Sequence, residues 1–97
     1  MSEVEISRIE IDGREFLGVR VDMPNAPLLL IKGKRGFAMC GYLNPETAEK
    51  LGDIAVIVSG VRSFDDMLNA RIKWVSSRGK ELGIYEGTVL RDVISKL

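Results

Sequence analysis

The chain of 97 residues carries 14 Lys and Arg against 14 Asp and Glu, with 45% apolar residues, a single cysteine and no histidine. That length suits one domain over residues 1-97 with a single core, and a net charge of zero provides no field for nucleic acid or an anionic membrane surface. Lack of histidine removes the usual zinc ligand set, the Ser-His and Cys-His dyads and the commonest general base near neutral pH, so neither a metal nor a cofactor is expected.

The opening "MSEVEISRIEIDG" is polar and acidic, without the basic and apolar regions of a leader. The longest apolar runs, "APLLLI" and "IAVIV", are too short to cross a bilayer. With a lone cysteine unable to form an intrachain disulfide, the expected setting is cytoplasmic. Residues 3 to 22 read as a β-hairpin whose two runs, "VEISRIEI" and "EFLGVRV", meet at Asp12-Gly13. A strict two-residue turn would put Ile9 and Ile11 on the opposite face from Leu17, Val19 and Val21, whereas the preferred three-residue loop of Ile11, Asp12 and Gly13, with Gly13 left-handed, gathers Ile9, Leu17, Val19 and Val21 on one face.

"DMPNAP" breaks the pattern, because Pro24 and Pro27 cannot donate to a ladder. "LLLI" (28 to 31) and "FAMCGYL" (37 to 43) then flank a charged turn, "KGKRG". Those runs and "IAVIV" (54 to 58) are apolar without alternation, the pattern of strands covered on both faces. Asn44-Pro45 opens a short helix that Gly52 ends, and Ser63 caps another beginning "FDDML". "RIKWV" (71 to 75) reads as a half-buried edge strand. Ser76 caps a helix reaching Leu82 and closed by Gly83. A last helix from about Thr88 gathers Val89, Leu90, Val93, Ile94 and Leu97 on one face.

Strands first and helices later predict an α+β fold: a mixed or antiparallel curled sheet of five to six strands, with three to four short helices toward the C-terminal half. So few short helices can hardly cover both faces of such a sheet. The surplus of doubly apolar strands therefore predicts a closed or curled sheet, or burial against a second copy in a homo-oligomer.

Four stretches could carry chemistry. Cys40 lies in "GFAMCGYL", on strand parity with Ala38 and Tyr42, where Gly36 and Gly41 leave room for close approach. Free cysteines usually act as small buried hydrophobes, and no base adjoins this one, so packing competes with a candidate catalytic or ligand-binding role. "SGVRSFDD" (59 to 66) runs from a strand through a glycine loop into a helix start with Arg62 and Ser63, an arrangement suited to a small anion. Asp65 and Asp66 in that first turn favour an ordinary cap instead. "GKRG" at 33 to 36 matches the Gly-x-x-Gly loop of KH domains, but here it joins two strands rather than two helices and is set aside. The carboxylates of the first hairpin, Glu3, Glu5, Glu10, Asp12 and Glu15, read as ordinary exposed strand residues.

Three segments, "GFAMCGYL", "GVRSFDDMLNA" (60 to 70) and "KELGIYEG" (80 to 87), together resemble the YunC-like family of small bacterial and archaeal domains of unknown function. The likeness runs from about residue 8 to the end. It departs at "GTVL" (87 to 90), where family members tend to place a second glycine. The resemblance implies no stated activity, but Cys40, Gly41 and Arg62 fall within its recognisable segments. The leading expectation is a self-associating domain that is not evidently catalytic. The alternative is a small-molecule or anion site, with or without dependence on the thiol, formed if the fold brings Cys40 and Gly41 near Arg62 and Ser63.

Overall fold

The computed structural model describes residues 3–97. Strands β1 (Val4–Ile11), β2 (Arg14–Val21), β3 (Leu28–Lys32), β4 (Gly36–Met39), β5 (Ile54–Ile57) and β6 (Trp74–Val75) form one six-stranded sheet in sequence order. Neighbours are antiparallel except β4 and β5, which run parallel. A parallel pair requires a crossover, here helix α1 (Pro45–Leu51). Helix α2 (Phe64–Asn69) lies between β5 and β6, and α3 (Ser77–Glu81), α4 (Leu90–Val93) and a 3-10 turn (Ile94–Lys96) complete the chain. The architecture is α+β, as the order of sequence patterns implies. No helix among the described residues is long and apolar enough to cross a membrane.

The first hairpin departs from the expected three-residue loop. Ile11 pairs with Arg14, leaving only Asp12 and Gly13 in the turn, at φ 53° and 78°. Two consecutive left-handed residues match the twist of the flanking strands. This register exchanges faces: Ile9 and Ile11 lie with Phe16, and Leu17, Val19 and Val21 lie with Val4 and Ile6. The exchange buries the Phe16 ring, 5% exposed, and leaves Leu17 at 40%.

Phe16, Leu29, Ile31, Ala38, Val56 and Val75 share the face that carries the main core. Met67 and Leu68 of α2, Leu90 and Val93 of α4, and Ile94 and Leu97 close over it. Gly18 permits part of this closure, since an added Cβ there would lie 2.9 Å from the Phe64 ring.

Ala48 of α1 and Ala55 and Ile57 of β5 are buried apart from that core. Strand alternation puts Ala55 and Ile57 on the opposite face, where Ala55 is fully buried and Ile57 is 8% exposed. Of the three runs expected to be covered on both faces, only β5 is. Across β1 to β4 the opposite face stays open: Val4, Ile6 and Leu17 are exposed, and Val19, Val21, Leu28, Leu30, Phe37 and Met39 are half-buried.

Two further strands are shorter than their patterns. β4 stops at Met39, because Leu43 N–H donates to Cys40 O (3.2 Å) in a turn that leads at once into the Asn44 cap. Cys40 therefore keeps the buried side of Ala38, while Tyr42 turns outward. Before β6, Ile72 is buried through a separate pairing, its N–H donating to Thr88 O and its carbonyl accepting from Gly87 N–H, both at 2.8 Å. The caps follow the sequence closely. Asn44 Oδ1 accepts from Glu46 and Thr47, Ser63 Oγ from Asp66 and Ser76 Oγ from Gly79.

Candidate ligand-binding site

After β4 the chain leaves through α1, whose buried Ala48 lies apart from the main core; after β5 it leaves through α2, whose Met67 and Leu68 belong to that core. Where neighbouring parallel strands send their connections to opposite sides, a crevice opens at their carboxyl ends, the usual ligand position in open sheets with parallel strands. Here that crevice is a pocket of about 360 Å³. Cys40, Gly41 and Tyr42 following β4, and Ser59 to Arg62 following β5, form most of its wall. Ala26 and Pro27, just before β3, complete it.

Backbone hydrogen bonds fix the two strand ends. Val58 N–H donates to Met39 O and Cys40 N–H to Leu29 O, each at 3.0 Å. Gly60 then turns the chain at φ 73°, a conformation that favours glycine, with open space where a Cβ would stand. Cys40 is 5% exposed, and its Sγ accepts from Leu29 N–H at 3.4 Å. The thiol is thus a largely buried part of the pocket wall.

Arg62 is exposed, and its backbone is held from both sides. Its carbonyl accepts from Arg20 Nη1 at 2.6 Å, and its N–H donates to Asp66 Oδ2 at 3.0 Å. Among the described residues its guanidinium has no carboxylate within ion-pair range. Among the described residues, Arg62 is also the one charged residue in the lining. Tyr42, 49% exposed, reaches Ala26 O only at 3.5 Å, so its hydroxyl is weakly engaged.

Cys40 and Gly41 therefore meet Arg62, distant in sequence, in one pocket. Ser63 lies outside the lining, with its hydroxyl accepting from Asp66 N–H at 3.0 Å as the α2 cap. Ser59 and Gly60 belong to the singled-out "SGVRSFDD" segment, but Ala26 and Pro27 carry no local signal of their place here. Among the described residues, no group of three or more His, Cys, Asp or Glu is placed to hold a metal.

Fold and pocket together define a small α+β domain with a mixed open sheet and a crevice between diverging parallel strands. Residues 39–97 match the family described as a domain of unknown function (DUF1805), and the chain belongs to that family. The matched span includes Cys40, Gly41 and Arg62. The chain is 30% identical over 98 residues to the uncharacterized protein YunC of Bacillus subtilis (strain 168), covering 97% of each. It is also similar to the crystal structure of a protein of unknown function from Thermoplasma acidophilum. That match has 52% identity and a TM-score of 0.94, covering 97% of this chain and 92% of that one. The YunC-like resemblance of the three sequence segments is thereby upheld across nearly the whole chain.

Proposed function

We propose that this domain binds a small anionic molecule, with the anionic group on Arg62 and the apolar part against Pro27, Cys40 and Val61. The observation that carries this reading is that, among the described residues, the Arg62 guanidinium has no carboxylate in ion-pair range and is the sole charge lining a largely apolar pocket. A cation facing a partly desolvated wall favours a carboxylate or phosphate more strongly than one in open water. Cys40 acts as a packed wall residue against which the ligand rests, and the reading assigns no reaction. Thermal unfolding of the native chain and of Arg62→Ala, each titrated with inorganic phosphate and with propionate, tests it. Stabilisation of the native chain that Arg62→Ala loses is expected; equal stabilisation of both overturns it.

The open sheet face supports a second reading, self-association with another copy of the chain in the cytoplasm. Val4, Ile6 and Leu17 are 47%, 68% and 40% exposed on a face continued by Val19, Leu30, Phe37 and Met39. A contiguous apolar surface of that kind is unusual on a monomer. Arg8, Glu10, Glu15 and Lys32 at the hairpin-tip end of the same face carry two charges of each sign. A second copy would therefore meet no net repulsion.

A further inference from the structure

At the other end of the sheet the β1–β2 and β3–β4 turns lie side by side, and the chain returns to them at Ser95 and Leu97. Together they enclose a cavity of about 470 Å³. Among the described residues, its lining side chains include three cations, Arg14, Lys34 and Arg35, and one carboxylate, Glu15. In a chain with equal numbers of the two signs, this is a local excess. Glu15 is itself engaged by Arg8 at 3.6 Å. Among the described residues, Arg14 and Lys34 have no carboxylate within ion-pair range.

The cations stand on a fixed support. Arg35 and Gly36 N–H both donate to Leu97 O, at 2.6 and 2.7 Å, and Arg35 Nη2 donates to Ser95 O at 3.0 Å. Leu97 comes this close because residue 33 is glycine: an added Cβ would lie 2.5 Å from the Leu97 backbone. Leu97 O is taken up by these two amides, and the Arg35 guanidinium keeps further donors available. The β3–β4 turn is thus tied to residues 95 to 97, and the Arg35 guanidinium is held in place by Ser95.

We propose that this basin is a second binding site, for a small ligand bearing two or more phosphate groups. Several cations distributed around one cavity match charges distributed along a phosphoanhydride chain, whereas a single phosphate would engage them only in part. The site is separate from the Arg62 pocket, which lies at the opposite end of the strands, and it stands whether or not that pocket binds an anion.

The test is an NMR titration of the full chain with inorganic tripolyphosphate and, separately, with orthophosphate. The native chain, Arg62→Ala and the doubly substituted Arg14→Ala/Lys34→Ala are compared; both double-variant positions are exposed, so the fold is retained. Amide shifts centred on Lys34 and Arg35 are expected, with tripolyphosphate binding at least about ten-fold tighter than orthophosphate. The double variant loses at least about ten-fold in affinity, the scale of one or two charge-assisted contacts, and Arg62→Ala is unchanged in this region. Absence of those shifts, equal affinity for the two anions, or an unaffected double variant overturns the proposal.

Discussion

Arg20 Nη1 donates to the Arg62 carbonyl oxygen at 2.6 Å across 42 positions of sequence, so a strand of the first hairpin holds the loop that presents the pocket's charge. Asp22 Oδ1, 3.1 Å from Arg20 Nε, steadies the donor. Arg20→Ala frees the Arg62 carbonyl. The expected stability loss is only about 1 kcal/mol, because the contact is partly exposed, with a larger proportional loss of phosphate or propionate binding. Denaturant midpoints and ligand titrations separate the two; undiminished binding would show that the loop holds its shape without Arg20.

Ser76 is fully buried and joins the start of β5 to α3 through one hydroxyl. Its Oγ accepts from Ala55 N–H (3.0 Å) and Gly79 N–H (3.2 Å) and donates to Asp53 O (2.7 Å). Ser76→Ala removes the α3 cap and leaves buried backbone groups without partners, at a cost of roughly 2–4 kcal/mol. Urea denaturation reads that cost directly, and a change below about 0.5 kcal/mol is incompatible with this role.

The open face predicts association at tens of micromolar in sedimentation velocity. Ile6→Lys combined with Val19→Lys places two cations opposite one another on adjacent strands, at positions that pair in register. The expected result is a folded monomer with native far-UV circular dichroism. A native chain that already sediments as a strict monomer contradicts the self-association reading.

Acid stability has a defined sign. The Ser77 hydroxyl, then the Ser77 N–H, hold the Glu49 carboxyl below its ordinary value of 4.5, and Glu86 is lowered chiefly by its own backbone N–H, with Lys80 adding to it. A carboxyl depressed on folding contributes stability that is complete above its unfolded value and is lost as pH falls through its folded one. Denaturant midpoints should therefore fall below pH 4.5, and Glu49→Gln should flatten that decline. An unaltered acid limb in the variant would remove Glu49 from the account.

Cys40 offers only 5% of its surface to solvent. Its reaction with a bulky aromatic disulfide reagent should be at least about ten-fold slower in the native chain than after denaturation. A small alkylating reagent that does enter would occupy the pocket wall and diminish anion binding. Equal rates in the native and unfolded chains contradict the packed position.

Much of the fold was legible where chemistry is local. Asn44 with Pro45, Ser63 and Ser76 each cap the helix that their sequence context indicates, and Gly52 and Gly83 both take positive φ, 76° and 83°. Register was less legible: Asp12-Gly13 served both candidate loops, and only long-range burial of Phe16 distinguishes them. Apolar runs misled at β3 and β4, since a run without alternation tells that two faces are apolar but not that both are covered. For the site, the glycine loop and Arg62 were visible as a segment, and so was Cys40. Their meeting depends on β4 and β5 running parallel, and the contribution of Ala26 and Pro27 on the β2–β3 connection has no local signature.

The most direct measurement for the central claim is an amide-resolved NMR titration of the native chain and Arg62→Ala with propionate and with phosphate. An anion site at the crevice gives saturable shifts concentrated at Cys40, Gly41, Gly60, Val61 and Arg62, abolished or at least about ten-fold weaker in Arg62→Ala. Shifts that miss these residues, or that persist unchanged in the variant, would contradict it.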